Sequence, residues 1–468
     1  MDDYSNELPE NYYFGGGTDT FATPLAIAML CLGVILLLTL PRKYAFVPFL
    51  IAGILIPQAV TLSVGNLHFY SLRLLLLAGW TRILIRHERY PVNLNSLDRC
   101  VLYSVLVNSL AYCFLWREFG AVVNRLGYLF STLGLYFLLR SLIRTRQDII
   151  LAINSLAVVV TVIAPLMWYE HTVQKNIFSL FGASEFPSVR DGKVRAAGPF
   201  AHAIVAGTFG VVLLPLFVGL WWRNYRSWLI AATGAAVSLV MMIASSSSTP
   251  VMTLAAVILA LCAWPLRKDL RKCRWALAAM FIGLHVTMTQ PVWFLLNRIS
   301  GVLGGSGWHR AMLIDNFVRH FFEWFFIGTK NNANWGWSMW DVDNAYVGAG
   351  LGGGVLGFIL FLAIFVVAYR MIGVARSQAE NSKRIGDARI IWAIGAALFA
   401  NTVAFFGIVY FDQSIIVWHT LLVMISVVAT FAGADQAAQL AQPEGYATRP
   451  DARRARNPAN SPIPQKSY

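Results

Sequence analysis

The amino-acid sequence predicts an all-α, polytopic transmembrane helix bundle, and three observations lead to that fold class. Hydrophobic residues make up 57% of the 468 residues and charged residues only 13%, whereas a soluble domain carries about 25% charged residues. The mean hydropathy is +0.59. Apolar runs of about 20 residues, the length that spans a bilayer, recur along the whole chain. The alternating pattern of a membrane β-barrel is not seen, so helices are predicted throughout.

About 13 apolar runs are long enough to be predicted as spans, each with ends defined to within a few residues. The first three follow one another closely, and Arg73 interrupts the third. In chain order the runs are Phe21–Leu40, Ala45–Val64, Leu67–Ile85, Cys100–Trp116, Ala121–Ile143, Ile149–Trp168, Phe200–Trp222, Trp228–Ala244, Pro250–Leu266, Trp275–Leu296, Ala345–Tyr369, Ile390–Tyr410 and Ile415–Ala432.

The connections between the runs alternate in charge. Every second connection is rich in Lys and Arg, as in "RHERYPVNLNSLDR" and "RKDLRKCR", while the others are poor in cations or are long. Because short cytoplasmic loops carry an excess of Lys and Arg, the alternation predicts an odd number of spans with the N-terminus outside and the C-terminus in the cytoplasm. Residues 1–20 then form an acidic outer segment, residues 21–433 the bundle, and residues 434–468 a disordered cytoplasmic tail.

The charge and the cysteine content exclude several other classes of protein. The formal net charge is +14, but the cations concentrate in short loops, which topology explains without nucleic acid as a partner. The five cysteines lie in apolar runs or at their ends and show neither metal-ligand spacing nor a disulfide framework. No zinc-protease, P-loop or dinucleotide-binding pattern occurs where it would carry meaning. We therefore predict no metal and no cofactor.

Two long connections, residues 169–199 and 297–344, lie on the predicted outer side. Both contain several Lys and Arg residues, against the tendency of outer loops to avoid cations. Cations kept there against the topological preference indicate a function. The candidate site is therefore sought in these two loops.

The first loop ends in "GKVRAAGPFAHAIVAG", in which Arg195 precedes Gly198-Pro199. Proline suits the first turn of a helix, so Arg195 is predicted to lie at the outer mouth of the seventh span. A helix N-terminus favours anions, and an arginine fork beside it suits a phosphate. The alternative is an arginine that only reaches to the membrane interface.

The second loop contains "SGWHRAMLIDNFVRHFFEWFFIG", which is predicted to be helical. Arg310 heads an apolar stripe with helical spacing that contains Phe317 and Trp324, so it is predicted to point toward the bundle. An inward arginine needs an acidic partner or an anionic ligand. Arg319 lies on another face and is expected to be a solvated cation. His309 is either a general base or a polar interfacial residue.

Two further segments carry polar side chains at the predicted outer side. Asp343 and Asn344 come directly before the eleventh span, so Asp343 is either a base for an attacking hydroxyl or a helix cap. The segment "SSSSTP", Ser245–Pro250, links two spans. It either lines a polar cavity or forms a simple tight turn.

These stretches together resemble the O-antigen ligase and O-antigen polymerase superfamily of bacterial inner membranes. The features that carry the resemblance are "RAAGPFAHAIVAG", "SSSSTP", and the long loop from "WHRAMLIDN" to "DNAYVGAGLGGGVLGF". The resemblance implies a bundle like that of the GT-C integral membrane glycosyltransferases, with two long periplasmic loops. It also implies a periplasmic N-terminus, a cytoplasmic C-terminus, and metal-independent transfer of glycans from an undecaprenyl-diphosphate carrier.

The resemblance also implies roles for particular residues. Arg195 and Arg310 match arginines that hold the diphosphate, and for the transfer that this implies Asp343 is the candidate catalytic base. Asp343-Asn344 stands where ligases show His-Asn, and no arginine follows the serines of "SSSSTP"; both departures favour a polymerase over a ligase. The expected substrate-binding residues are Arg190, Lys193, His309, Arg319, Asn344 and Tyr346.

The expected function is polymerisation of exopolysaccharide or O-antigen repeat units at the periplasmic face, by an inverting glycosyltransferase. Expected partners are an undecaprenyl-diphosphate-linked oligosaccharide, an acceptor glycan or glycolipid, membrane lipids and other polysaccharide-export proteins, with no nucleic acid. Three alternatives stay open at this point: an O-antigen ligase that attaches glycan to lipid A core, a polysaccharide or lipid transporter, and a scaffold subunit of an envelope complex.

Overall fold

The computed structural model describes residues 20–64, 67–88, 94–298 and 307–440, and it confirms an all-α, multi-pass membrane protein. Over these residues, eight helices are long and apolar enough to cross a membrane, or nine if one bent pair is counted as a span. The predicted total of about 13 is therefore not reached by length and composition. The N-terminal 19 residues and residues 441–468 of the predicted tail lie outside the described residues.

The helices follow the order of the apolar runs. They are α1 (Pro24–Thr39), α2 (Arg42–Leu55), α3 (Ser71–Ile85), α4 (Ser96–Trp116), α5 (Phe119–Leu142), α6 (Arg146–Val173), α7 (Ala203–Arg223), α8 (Trp228–Ala244), α9 (Ser248–Cys262), α10 (Leu270–Thr287), α11 (Gly307–Arg319), α12 (Phe321–Trp324), α13 (Ala345–Asn381), α14 (Ile385–Ala404) and α15 (Ser414–Leu440). Short 3₁₀ turns cover Ile177–Phe181, Tyr225–Ser227, Trp264–Lys268, Val292–Phe294 and Ala333–Trp335.

Two predicted spans are wrong in part. Strands β1 (Thr61–Val64) and β2 (Leu67–Tyr70) form an antiparallel hairpin where the second and third runs were expected to continue as helix. Thr61, Val64 and Tyr70 belong to the β-branched and aromatic types that fit a strand as well as an apolar span. Helices α2 and α3 are therefore shorter than the runs that predicted them.

The tenth predicted span is not one straight helix. Helix α10 and the following segment Val292–Arg298 meet at an angle of 96°. Pro291 directly precedes this segment, and proline cannot continue the hydrogen bonds of a helix. The C-terminal boundary also differs, since α15 runs to Leu440, past the predicted start of the tail at residue 434.

Helix α7 is the central helix of the bundle. The apolar window of α7 is 89% buried, and its glycines allow close contact with its neighbours. A Cβ on Gly210 would lie 3.1 Å from Met241 Cβ of α8, and one on Gly219 would lie 2.5 Å from Ala393 Cβ of α14. Small residues at such positions let membrane helices approach closely. The N-terminal end of α7 and the N-terminal end of α13 both lie at what we call the site end of the bundle.

The second long loop packs as a satellite core on α13. Phe317 and Trp324, the predicted apolar stripe, are 7% and 3% exposed and stack with ring centroids 3.9 Å apart. Helix α13 breaks at Gly354, whose φ of 63° is left-handed. At that break Val355 N donates to Phe325 O at 2.8 Å, so the loop is hydrogen-bonded into the helix.

Candidate functional site

A β-hairpin places three cations of the first long loop on one face. Its strands are β3 (Ser188–Arg190) and β4 (Lys193–Arg195), and Arg190 is paired with Lys193. Residues opposite each other, and residues two apart on one strand, point to the same side. The three cations Arg190, Lys193 and Arg195 therefore share a face. The turn is Asp191-Gly192, with φ of 53° and 72°, as Asp-Gly hairpin turns require.

The chain after the hairpin is anchored to neighbouring helices. The two carboxylate oxygens of the buried Glu170 accept hydrogen bonds from Ala197 N at 3.0 Å and Gly198 N at 2.8 Å. Ala196 N donates to Ala244 O at 3.0 Å, which ties strand β4 to the end of α8. These bonds fix the backbone beside Arg195.

Pro199 does not lie in the first turn of α7, as the sequence predicted. Helix α7 begins only after His202, its N-cap, and the carbonyl of Pro199 accepts a hydrogen bond from Gln413 Nε2 at 2.6 Å. The prediction failed because Gly198, with a φ of 59°, turns the chain before the helix starts. Arg195 is consequently held by the hairpin rather than by the helix N-terminus.

Arg195 contacts the segment Ser245–Pro250, which we call the serine turn. Its Nη2 donates to Ser247 Oγ at 3.0 Å, and Ser247 Oγ donates to Ser245 O at 2.8 Å. The sequence predicted either a polar lining or a simple tight turn for this segment. In the structure it is both, because the tight connection between α8 and α9 also presents the Ser247 hydroxyl to Arg195. Arg195 Nε is buried and has no hydrogen-bond partner within the described ranges.

Arg310 points into the bundle, as its position at the head of the apolar stripe predicted. It is 2% exposed. Its Nε donates to Asp343 Oδ2 at 3.1 Å and its Nη2 to Gly407 O at 3.4 Å. Its buried Nη1 has no partner in the part of the chain that the structure describes. A buried donor without a partner is costly, so this atom indicates where an anionic ligand would be favoured.

Arg195 and Arg310 converge on the serine turn. Arg310 Cζ and Thr249 Oγ1 lie 2.9 and 3.0 Å from one point, the position that a Cβ on Gly407 would occupy. Arg195 contacts Ser247, two residues before Thr249. Burial lowers the pKa of Arg195, and the positive charges of Arg190 and Arg310 lower it further. Guanidinium groups from the two loops therefore form one electropositive region.

The sequence left open whether Asp343 caps the following helix or serves as a base, and in the structure Asn344 is the cap. Asn344 caps α13, because its Oδ1 accepts from Tyr346 N at 2.9 Å and Val347 N at 3.1 Å. Asp343 is left to bind Arg310 through Oδ2. Asp343 Oδ1 is buried and makes no hydrogen bond with a described residue, so one oxygen of this carboxylate is available to a ligand.

His309 lies on the other side of Asp343. Its Nδ1 is 3.7 Å from Asp343 Oδ1 and its Nε2 is 2.9 Å from Ser338 O. Burial opposes the charged imidazole, but Asp343, the Ser338 carbonyl and Asp341 together raise the pKa of His309. Loss of hydration and the charge of Asp343 raise the pKa of Asp341. His309, Asp341 and Asp343 therefore form a small acid–histidine group beside Arg310.

Three of the predicted substrate-binding residues have other partners. Arg319 is exposed and its Nε donates to Asp315 Oδ2 at 2.6 Å, so it does not join Arg310. The hydroxyl of Tyr346 donates to Thr402 O at 2.8 Å. Asn344 is the buried helix cap. Of the other three, His309 contacts Asp343, while Arg190 and Lys193 extend the cationic face of the hairpin outward.

Several residues of the site were missed by the sequence reasoning. Gly407 lies against Arg310, but a glycine after a span carries no distinctive pattern. Thr249 also lies against Arg310; it belongs to the segment Ser245–Pro250 that the sequence marked, but it was not singled out there. Burial raises the pKa of both Asp341 and Asp412, and His202 lies near enough to these two carboxyls to oppose that rise. The hairpin itself was signalled by the Asp-Gly dipeptide at 191–192, a sequence typical of two-residue turns.

The described residues contain no group of three or more His, Cys, Asp or Glu side chains arranged to hold a metal ion. No family model matches the chain, and no curated protein matches it.

Proposed function

We propose that the chain is an integral membrane glycosyltransferase of the O-antigen polymerase and ligase type, with a GT-C-like bundle. It sits in a bacterial inner membrane, with the N-terminus and the site end in the periplasm and the C-terminus in the cytoplasm. It transfers glycan from an undecaprenyl-diphosphate-linked donor to a sugar hydroxyl and thereby polymerises exopolysaccharide or O-antigen repeat units. The acceptor is a glycan or glycolipid, and other polysaccharide-export proteins are its partners.

The observation that carries this proposal is the pair of half-buried or buried guanidinium groups at the serine turn. Arg195 Nε and Arg310 Nη1 both lack a hydrogen-bond partner among the described residues. Two arginines with a free donor each suit a diphosphate, since guanidinium forks match phosphate oxygens. Their burial strengthens the electrostatic interaction with such an anion.

The reaction follows from the charges at the site. The acceptor hydroxyl attacks the anomeric carbon, the new C–O bond forms, and the bond from that carbon to the phosphate oxygen breaks. Negative charge that builds on the leaving diphosphate is stabilised by Arg195 and Arg310, more in the transition state than in the ground state. The hydroxyl proton passes to Asp343 Oδ1, while Oδ2 keeps Arg310 in position. A single displacement inverts the anomeric carbon.

The test is a carbohydrate profile of a deletion strain complemented with variants of the chain. Arg195→Ala and Arg310→Ala are each expected to lower the rate by about 10²–10³-fold, the effect of removing one donor to a developing oxyanion. Arg319→Ala, a cation on the same helix as Arg310 but turned outward, is the matched control and should leave the glycan normal.

The glycan that accumulates distinguishes the enzyme classes. Single repeat units on the carrier or the surface indicate a lost polymerase, as proposed. Long chains stranded on the carrier lipid indicate a lost ligase. Normal glycan in both arginine variants would rule out the enzyme and leave the transporter or scaffold alternatives.

A further inference from the structure

The turn that follows α12 is inserted into helix α13 at its break. In an unbroken helix Val355 N would donate to Leu351 O. Here Val355 N donates to Phe325 O at 2.8 Å, and Thr329 N donates to Leu351 O at 3.0 Å. The two backbone groups that the break frees are therefore both satisfied by residues 325–329. Within a bilayer every such group needs a partner from the protein, and this pairing meets that requirement.

Helix α4 gives the depth of the break. Its 21 residues, Ser96–Trp116, are about 31 Å long, close to the thickness of the hydrocarbon core, so both ends of this span lie at the interfaces. Asn108 precedes Trp116 by eight residues, which places it about 12 Å deeper. Its Nδ2 is 2.8 Å from the position that a Cβ on Gly352 would take. The residues beside the break therefore lie about 12 Å inside the end of α4.

That end of α4 is the one beside the second long loop. The Nζ of Lys330 lies 5.0 Å from the ring centre of Trp116, and tryptophan is typical of the membrane interface. Helix α13 gives a similar depth from its own start, because Gly354 comes nine residues after Ala345, about 13 Å along the helix. Four extended residues cover about 13 Å, so the chain can rise from Phe326 at the break to Lys330 at the interface.

The side chains of the turn at this depth are aromatic and exposed. Phe322 and Phe326 are 86% and 78% exposed. A Cβ on Gly354 would contact the carbonyl oxygen of Phe326, so Phe326 lies level with the break. Close by on α13, Leu356 and Ile359 are 52% and 54% exposed, as expected where a span faces acyl chains. The phenylalanines therefore continue a surface of the bundle that faces lipid.

The acidic residue of this segment is held by polar partners of the loop. Glu323 Oε1 lies 2.7 Å from His320 Nδ1, and Glu323 Oε2 accepts a hydrogen bond from Trp335 Nε1 at 2.8 Å. Trp335 belongs to the satellite core, so the carboxylate is directed toward the body of the loop. Phe322 and Phe326 remain as an uncharged pair one helical turn apart.

We propose that residues 321–328 form a re-entrant turn in the bilayer leaflet next to the site end, with Phe322 and Phe326 packed against lipid acyl chains. Phe317 of α11 stacks on Trp324 of α12, so the inserted turn holds α11, the helix that carries Arg310, at a fixed depth. The inference rests on the depth of the break and does not depend on the proposed glycosyl transfer.

The test measures the depth of a nitroxide on the full-length protein in phosphatidylcholine nanodiscs. The five cysteines are replaced by alanine, and one label is attached at Phe326→Cys. Electron paramagnetic resonance compares its collisions with oxygen, which concentrates in hydrocarbon, and with a water-soluble nickel chelate. The label should lie within about 3 Å of one at Leu356→Cys, two residues beyond the break. It should lie about 9 Å deeper than one at Phe114→Cys, six residues beyond Asn108 on α4.

Two further positions complete the experiment. Val189→Cys is the control in water, since its side chain is 59% exposed beside Arg190 on strand β3, and its label should collide mainly with the nickel chelate. Phe322→Cys repeats the measurement within the turn and should also collide mainly with oxygen. Both phenylalanines lie on the surface, so neither label disturbs the packed core, which the thermal unfolding of each labelled protein verifies.

Three outcomes would overturn the proposal. Nickel collisions at 322 and 326 as frequent as those at 189 would place the turn in water. A label at 326 no deeper than the one at 114 would leave the turn at the interface. Protection of both labels from oxygen and from the nickel chelate would indicate that a partner protein or a second copy covers the phenylalanines in place of lipid.

Discussion

Two arginines of this protein are buried to the same degree but differ in how many hydrogen-bond partners they have. Arg82 in α3 and Arg310 in α11 are 1% and 2% exposed. Arg82 Nε and Nη2 bind the two oxygens of Glu88 at 2.9 and 2.7 Å, and its Nη1 donates to the carbonyls of Leu37 and Leu40. Arg310 has one carboxylate contact, one long contact to a carbonyl, and a buried Nη1 without a partner in the described chain.

The difference distinguishes an arginine whose donors are all used within the protein from one that keeps a donor for the ligand we propose. Arg82 uses all three nitrogens within the protein, so its role is complete in the folded chain. Arg310 uses its Nε to bind Asp343 and keeps Nη1 without a partner among the described residues. Buried polar groups are normally satisfied. Nitrogens without a partner among the described residues also occur on Arg125, Arg140 and Arg376, and Arg310 differs from these because the unpartnered Nε of Arg195 lies at the same serine turn.

The largest expected effect on stability follows from replacing Arg82, the arginine with a full set of partners. Arg82→Met leaves Glu88 and two carbonyls without their donor, and breaking a buried pair from one side costs about 3–5 kcal/mol. The variant should lose folded protein in detergent, measured by thermal unfolding and size-exclusion chromatography. The double variant Arg82→Met with Glu88→Met should recover much of that loss; a double variant as unstable as the single one would contradict this interpretation.

A substitution at Gly407 tests whether the position of the Arg310 guanidinium matters, without removing any charge. A Cβ there would meet Arg310 Nε at 2.9 Å and Thr249 Oγ1 at 3.0 Å, so Gly407→Ala must displace the guanidinium. Overpacking of this kind costs about 1–3 kcal/mol, and glycan transfer should fall with it. Gly373→Ala is the control, since no heavy atom lies within 4 Å of its Cβ position. Full activity in Gly407→Ala would mean that Arg310's position does not matter.

The acid–histidine group beside Arg310 should also make the stability of the protein depend on pH. The pKa of His309 is raised in the folded protein, so its contribution to stability is fully present below its ordinary pKa of about 6.5 and is lost as pH rises through the folded value. The melting temperature of the wild type should therefore fall more than that of His309→Gln between about pH 6 and pH 9. Parallel curves for the two proteins would indicate that His309 does not interact with Asp343.

The smallest expected effect belongs to Arg319. Its side chain is 71% exposed and pairs with Asp315 four residues earlier, and exposed pairs of this kind contribute about 0–1 kcal/mol. Arg319→Ala should change neither the melting temperature by more than a degree or two nor the glycan product, about as expected for a surface change. A loss of glycan comparable to that of Arg310→Ala would extend the site to the outer face of α11.

The helices were predictable because composition and length suffice to recognise an apolar run. Composition does not predict the residue at which the helix ends within such a run. Strands β1 and β2 form a hairpin, and α13 breaks at Gly354, where Val355 N donates to the carbonyl of Phe325 in the loop. The hairpin depends on pairing between neighbouring strands and the break on a contact with a separate loop, and composition reports neither.

The sequence likewise predicted part of the candidate site. Helical spacing directed Arg310 inward, and the structure pairs it with Asp343, one of the acids near the predicted span. Spacing could not decide whether Asp343 or Asn344 caps α13, because both residue types suit a cap. It also gave no sign of Thr249 or Gly407, whose importance is only that they touch Arg310.

The central claim is that Arg195 and Arg310 bind the same anion. A double-mutant cycle with Arg195→Ala and Arg310→Ala tests it directly, with binding of undecaprenyl diphosphate to the purified protein as the readout. The account predicts that each single variant weakens binding and that the double variant is little worse than either, which gives a coupling energy of about 0.5–3 kcal/mol. Losses that add independently, or binding that neither variant weakens, would contradict it.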